Sequence, residues 1–245
     1  MTIRCAALAA LLFLPSAATA QTWPERVYVS VNGAFQATTN DFSDRFEFPK
    51  DQETGSTEVD YRVQSGVLFD GGGGYRVWKN FGVGVSVSIF NRTDAAQTTT
   101  RSPHPFFFDR QREVEGEATG VTRNETAIHV QAMYLLAGSG PLRVVLSGGP
   151  TFFSVTQDLV SEVVLIDTFP FDAPTFSTVQ KQTLKASAPS FNVGADVVWM
   201  LRRGLGVGGL VRFSRAALDL DAPGNRTVSV DAGGLYAGGG VRLLF

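Results

Sequence analysis

Leu235-Tyr-Ala-Gly-Gly-Gly-Val-Arg-Leu-Leu-Phe245 is the stretch whose reading decides the fold. Every second residue, Leu235, Ala237, Gly239, Val241, Leu243 and Phe245, belongs to an apolar set. The alternate set, Tyr236, Gly238, Gly240, Arg242 and Leu244, carries the single charge. Successive side chains of a strand point to opposite faces, so this spacing predicts a β-strand with one oily face.

Working outward, the same alternation recurs. Val27 to Thr38 sets Val27, Val29, Val31, Gly33, Phe35 and Ala37 against Tyr28, Ser30, Asn32, Ala34, Gln36 and Thr38. A second strand is predicted with Val59, Tyr61, Val63, Val67 and Phe69 on one face and Asp60, Arg62, Gln64 and Asp70 on the other, running on through Gly71 to Gly74. Further strands are expected around Phe81 to Phe90, Glu125 to Leu136, Leu142 to Gln157, Phe191 to Trp199, and Leu205 to Phe213. Pro150 inside Leu142 to Gln157, the fifth strand of the chain, predicts a local break in pairing, because proline has no amide to donate. The strands number eight. Short turns near 78–80, 138–141 and 201–204 alternate with four long polar connections, about residues 39–58, 93–121, 159–178 and the Pro223-Gly-Asn225 region.

Composition narrows the class. Twenty-one basic and 23 acidic residues leave a formal net charge of -2, too balanced for a nucleic-acid partner. Residues 1–20 read as a signal peptide: Arg4, an apolar run from Ala6 to Leu14, and Ala18-Thr-Ala20 as the cleavage site. Cys5, the one cysteine, falls inside that segment, and residues 21–245 form a single domain. No later apolar run approaches the roughly 18 residues a membrane helix needs, so entry into a bilayer would require a closed barrel. A mean hydropathy of +0.05 with 26 glycines suits that route, since only alternate residues need be oily.

The closing strand, the even strand count, the alternation of short turns and long loops, and glycine-rich hairpins such as Gly71 to Val85 resemble the bacterial outer-membrane protein β-barrel domain family of small eight-stranded barrels. The resemblance implies an all-β, eight-stranded antiparallel up-and-down transmembrane barrel in the outer membrane of a diderm bacterium, with both termini periplasmic. It also implies contact with outer-membrane lipid and with the barrel-assembly machinery through the last strand. Tyr75, Phe81, Tyr134, Trp199 and Phe245 fit an interfacial aromatic girdle at the short-turn end. Charges opposite the oily face, Asp60, Arg62, Arg76, Arg92, Glu125, Arg143, Asp196, Arg212 and Arg242, are the candidate lumen ion pairs, because a buried charge must be matched.

Chemistry-bearing constellations are sparse. The only histidines are His104, between two prolines in a loop, and His129, on the lumen face with Glu125. Four residues along a strand separate those two by roughly 13 Å, so they form no direct dyad. No metal-ligand spacing, cofactor motif or phosphate loop is present; Gly71 to Gly74 lack a following Lys-Ser or Lys-Thr and read as close packing or a bend. The expected function is a non-enzymatic structural or surface-interaction barrel with a plugged lumen. The alternatives are a narrow, porin-like pore or small-ligand transporter, and a lipid-modifying enzyme that would need His129 beside a serine and an acid at a lateral opening. Phe106 to Phe108 and Val163 to Phe171 are too oily for solvated loops, so the loops either pack together or expose a patch for a surface ligand.

Overall fold

The computed structural model describes residues 25–136 and 140–245; the expected signal peptide and part of the turn at 138–141 lie outside the described residues. Among the described residues there are ten strands: β1 (Val27–Gln36), β2 (Asn40–Lys50), β3 (Glu53–Val63), β4 (Gly66–Trp78), β5 (Phe81–Pro103), β6 (Gln111–Leu136), β7 (Leu142–Ile166), β8 (Thr175–Arg202), β9 (Leu205–Ala222) and β10 (Arg226–Leu244). All pairings are antiparallel. β1 pairs with both β4 and β10, and β5 with β6, so the first and last strands join and the wall closes.

The ten strands amount to eight positions around the barrel. β1 and β2 are one strand interrupted at 37–39, and β3 and β4 are one strand interrupted at 64–65. The lower halves, β1 and β4, pair with each other in the wall, while the upper halves, β2 and β3, form a hairpin that joins β5 through β3.

Around the short-turn half the outward side chains are apolar on every strand. Val31, Val85, Val197 and Val241 all project outward and exposed, as do Tyr75, Phe81, Tyr134, Trp199 and Phe245 of the expected girdle. Phe35, Phe69, Phe152 and Phe191 form a second exposed aromatic level at the other edge of the band. From Leu235 to Phe245, at about 3.3 Å per residue and a tilt of roughly 40°, the band is about 25 Å tall, the thickness an outer-membrane barrel presents to hydrocarbon.

Above the band the four expected long loops are mostly strand. β2 and β3 replace the first, joined by a two-residue turn at Asp51-Gln52 with φ of 52° and 65°, and only residues 104–110, 167–174 and 223–225 connect the other three hairpins. The polarity of the sheet reverses there. On β9 the outward Leu205, Val207, Val211 and Phe213 give way to Arg215, Asp219 and Asp221, while the inward Arg212 and Ser214 give way to Ala216, Leu218 and Leu220. Inward-facing apolar residues from nearly every strand, including Phe46, Val59, Tyr61, Val155, Val160, Leu218, Leu220 and Val228, form one core above the polar lumen. Water wets the outside of this region, so burial drives the oily residues inward.

This reversal corrects the predicted face of the second strand. Val59, Tyr61 and Val63 point inward, and Asp60 and Arg62 are exposed on the exterior rather than in the lumen, Arg62 facing Asp41 at 3.6 Å. The break at 64–65 then restores the outward direction of Val67 and Phe69. Pro150 interrupts pairing as expected: the β6–β7 ladder runs to His129↔Thr151, resumes at Ala132↔Gly148, and lacks the two pairs between. The Asn192 amide donates to the carbonyls of Gly149 (2.9 Å) and Pro150 (3.2 Å) beside the gap. Among the inner glycines, a Cβ on Gly74 would fall 2.6 Å from the Met133 sulfur, so the glycine run reflects close packing across the lumen.

The hairpin tips are clasped together by Asp167. Lys50 Nζ lies 2.7 Å and Arg112 Nη1 2.6 Å from its carboxylate, and Arg112 also donates to the carbonyls of Pro103 and Phe171. Phe106 rests edge-on against Phe171, so the oily loops do pack together, yet Phe106 to Phe108 and Phe169 stay exposed.

Two outcomes follow from this architecture. Val85→Arg, at mid-height on the outer band, should cost roughly 2–4 kcal/mol in urea refolding measurements, whereas Thr227→Arg, outward but above the band, should cost about 0.5 kcal/mol or less. Burial tends to raise the Asp167 carboxyl, but the hydrogen bonds and charges of Arg112 and Lys50 outweigh it and hold it below the ordinary value. The clasp is therefore intact above the unfolded value of 3.8 and is lost as pH falls through the depressed folded value. Trypsin should cut after Lys50 and Arg112 faster in Asp167→Asn than in the parent chain at neutral pH, with folding of the barrel wall unchanged.

Candidate functional site in the barrel lumen

In the band the lumen is closed by a ring of polar side chains, one from each strand of the wall. Asn32 (β1), Asp70 (β4), Ser88 (β5), His129 (β6), Thr151 (β7), Asn192 (β8), Arg212 (β9) and Tyr236 (β10) are all buried. Each sits on the inward parity of its strand, so the alternation that places valine and phenylalanine in lipid delivers these groups to the axis.

The hydrogen bonds have a direction. Arg212 Nη1 donates to Asp70 Oδ2 at 2.6 Å and to Tyr236 Oη at 2.7 Å. Asn32 donates to the other Asp70 oxygen at 3.1 Å, and Ser88 Oγ donates to Oδ2 at 2.8 Å. With the single serine proton on Asp70, the 2.9 Å contact between Ser88 Oγ and His129 Nε2 is a bond donated by the imidazole. Nδ1 then accepts from Thr151 Oγ1 at 2.8 Å, and Thr151 accepts from Asn192 at 2.9 Å. The chain of donors thus runs from Asn192 through Thr151, His129 and Ser88 to a carboxylate fixed by arginine. Gln131, with its oxygen turned to Arg212, accepts from Nη2 at 3.1 Å.

Two further clamps lie along the axis. Nearer the short turns, Asp196 accepts from Tyr28 Oη (2.5 Å) and from Arg242 Nε (2.9 Å). At the upper edge, Arg123 Nε donates to Glu125 at 2.6 Å, while its other nitrogens reach Gln157 and the Asp231 carbonyl. The second Glu125 oxygen accepts from the Gly233 amide at 2.9 Å. Between the clamps lie cavities of about 20 Å³, lined by Tyr28, Ser86, Asp196 and Arg212 among others, and about 10 Å³, beside Ser88, Glu125 and His129. The first has room for about one water.

Of the charges singled out from sequence, Glu125, Asp196, Arg212 and Arg242 lie in these networks. Arg143 pairs with Glu25 at 2.5 Å at the short-turn end, and Arg92 pairs with Asp94 of its own strand at 2.9 Å. Arg76 is half-buried at the short-turn end, and Asp60 and Arg62 are exterior. Sequence reasoning left out Asp70, Arg123, Ser88, Tyr28 and Tyr236. Asp70, Tyr28 and Tyr236 fall by alternation on the face opposite the oily one, but nothing in the sequence marks them as partners of these charges.

Catalytically, the serine and histidine are adjacent but arranged in the wrong sense. A nucleophilic serine gives its proton to the histidine, and an acid orients that histidine. Here the acid takes the serine proton, threonine orients the ring, and His129 is 0% exposed with only the small cavity beside it. Among the described residues no group of three or more His, Cys, Asp or Glu could hold a metal ion.

The outer membrane protein beta-barrel domain matches this sequence over residues 6–199. Among solved structures, the outer membrane protease OmpT from Escherichia coli is similar with a TM-score of 0.50 at 7% identity, covering 92% of this chain and 98% of that one. The outer membrane protein OprG from Pseudomonas aeruginosa has a TM-score of 0.46 at 11% identity, with 90% and 97% covered. Neisserial surface protein A has a TM-score of 0.42 at 13% identity, with 89% and 97% covered. At 7% identity the likeness to OmpT speaks to fold alone, and no curated protein matches the sequence significantly. With the domain match spanning most of a closed antiparallel barrel that wears an apolar band, the chain belongs to the outer membrane protein beta-barrel domain family.

Proposed function

We propose that this outer-membrane barrel is non-enzymatic and acts as a structural and surface-interaction protein, its lumen closed by side chains. The carrying observation is the plug: three charge clamps and a ring from every wall strand, with cavities of about 20 and 10 Å³ between them. Eight strands make an interior that side chains can fill, which supports this reading over the pore. The enclosed Ser88 and His129, with their donor order reversed, support it over a lipid-modifying enzyme.

In this reading the chain ends and short turns face the periplasm, and the hairpins that rise above the band stand outside the cell. Long surface loops on one side of a barrel are the common arrangement. Outer-membrane lipid contacts the apolar band, and the strand ending at Phe245 is the one that assembly machinery would engage. The surface function then lies in the rigid, clasped hairpins. Their outward faces are largely hydrophilic except towards the summit, where Phe106, Phe107, Phe108, Ile166 and Phe169 are exposed.

Planar-bilayer recordings should show no sustained single-channel conductance, and a stable open level of nanosiemens size would overturn the closed lumen. Asp70→Asn should destabilise the barrel by about 3–5 kcal/mol by stranding Arg212, and Asp70→Leu with Arg212→Met together should cost less than either change alone. Ester and phospholipid hydrolysis should stay at background in both the parent and Ser88→Ala; activity lost with Ser88 would make the protein an enzyme.

A further inference from the structure

Above the apolar band the wall divides along three seams, and two of them are stitched. Between β2 and β10, Arg226 Nη1 grips Asp44 at 2.6 and 2.7 Å, Asn40 donates to the Gly233 carbonyl at 3.3 Å, and Thr38 accepts from the Leu235 amide at 3.0 Å. Between β6 and β7 the ladder ends at Arg123↔Gln157. Above it the Thr122 amide reaches Asp158 at 3.1 Å, Lys181 of β8 caps the carbonyls of Thr119 and Gly120 on β6, and Val160 donates inward to Tyr61 of β3 at 2.7 Å.

The third seam, between β8 and β9, is different. Their ladder stops at Phe191↔Arg215, although β8 extends up to Thr175 and β9 to Ala222. Pro189 is the local cause, since it has no amide for a further rung. Ser190 Oγ donates to the Arg215 carbonyl, and among the described residues no hydrogen bond joins the two strands higher up. β8 is paired with β7 from Thr175 downward, so one of its edges is satisfied and the other, over residues 175–188, is open. The Lys181 contacts tie this hairpin towards β6, on the side away from β9.

From this we infer that the open β8 edge is a docking site for an extended polypeptide segment of another protein, which adds as a strand in the seam. Unpaired backbone amides and carbonyls repeat along such an edge, and only another extended backbone matches that repeat along its length. The side chains specify the segment further. The inward Leu184, Ala186 and Ala188 are only half-buried and face the core beside the buried Leu218 and Leu220, so the incoming strand carries apolar residues at every second position. The outward neighbours, Thr183, Lys185 and Ser187 on one flank and Asp219 and Asp221 on the other, call for a hydrophilic second face with an acid opposite Lys185. Two copies in one membrane stand with β8 running the same way, so β8 of one copy cannot pair antiparallel with β8 of another.

The inference rests on the surface-facing reading of this end of the barrel. A barrel that blocks current yet ignores the probe loses only the seam, whereas a conducting barrel loses the closed-lumen reading. The probe is a fluorescent nonapeptide of alternating valine with glutamate and threonine, added to the full-length protein folded in detergent micelles. Saturable anisotropy is expected, with slowed amide exchange confined to β8 residues 175–188. Binding should weaken at least 10-fold when alternate peptide amides are N-methylated, and also in Pro189→Thr, which lets the β8–β9 ladder continue. Should Pro189→Thr fail to fold, the N-methylated peptide still decides. No saturable binding, equal binding of the N-methylated peptide, protection at 106–108 instead of β8, or self-association through the same amides would each overturn the proposal.

Discussion

Hydrocarbon offers no hydrogen-bond partner to a backbone amide, and the arrangement of this chain follows from that constraint. Within the apolar band the sheet closes on itself, β1 meeting β10 over nine register pairs from Tyr28↔Leu244 to Gln36↔Tyr236. All three seams in the wall open at or above the upper edge of the band, where water can satisfy a free strand edge. The lapse inside the band at Pro150 is covered by the Asn192 amide, which donates to the carbonyls of Gly149 and Pro150. Pairing is kept where lipid demands it and relaxed where lipid ends.

Closure with eight strands fixes the interior. Alternation delivers to the axis whatever the other face of each strand carries, and in the band that is charge, amide and hydroxyl. Removing these groups from water is costly, so each charge there is held by an opposite charge and by neutral donors: Asp70 by Arg212, Ser88 and Asn32, and Asp196 by Arg242 and Tyr28. Such networks contribute less net stability than their contact lists suggest. Their consequence is specificity of register, because a one-residue slip of any strand would carry its polar group into lipid and a valine into the network.

The barrel itself was legible because the band imposes a strict period of two on every wall strand, as in Leu235 to Phe245 and Phe81 to Ile89. In the upper half the sequence pattern misleads for a physical reason. Its alternation is as regular, with Ala216, Leu218, Leu220 and Ala222 against Arg215, Ala217, Asp219 and Asp221, but the polar set now faces out and gives the segment a loop-like composition. The Asp51-Gln52 turn also lacks the Asn-Gly or Asp-Gly signature by which such hairpins are recognised. Asp60 and Arg62 were placed in the lumen because the slip at 64–65 leaves no trace in composition. In the site, single charges such as Arg212 and Asp196 could be assigned to a face from their own strand. Their partners could not, since Asp70 and Tyr28 come from strands far away in sequence and the shear that brings them together is a property of the closed barrel.

One continuous sheet exchanges its wet and oily faces at the edge of the bilayer. Spin labels placed singly along the outer face of β9 in reconstituted membranes test it most directly, read as collision with oxygen against a water-soluble nickel chelate. Labels at 207, 211 and 213 should favour oxygen, and labels at 217, 219 and 221 should favour nickel, with the crossover near Arg215. Nickel access at 207 and 211 equal to that at 219 and 221 would show water on both stretches and contradict the account.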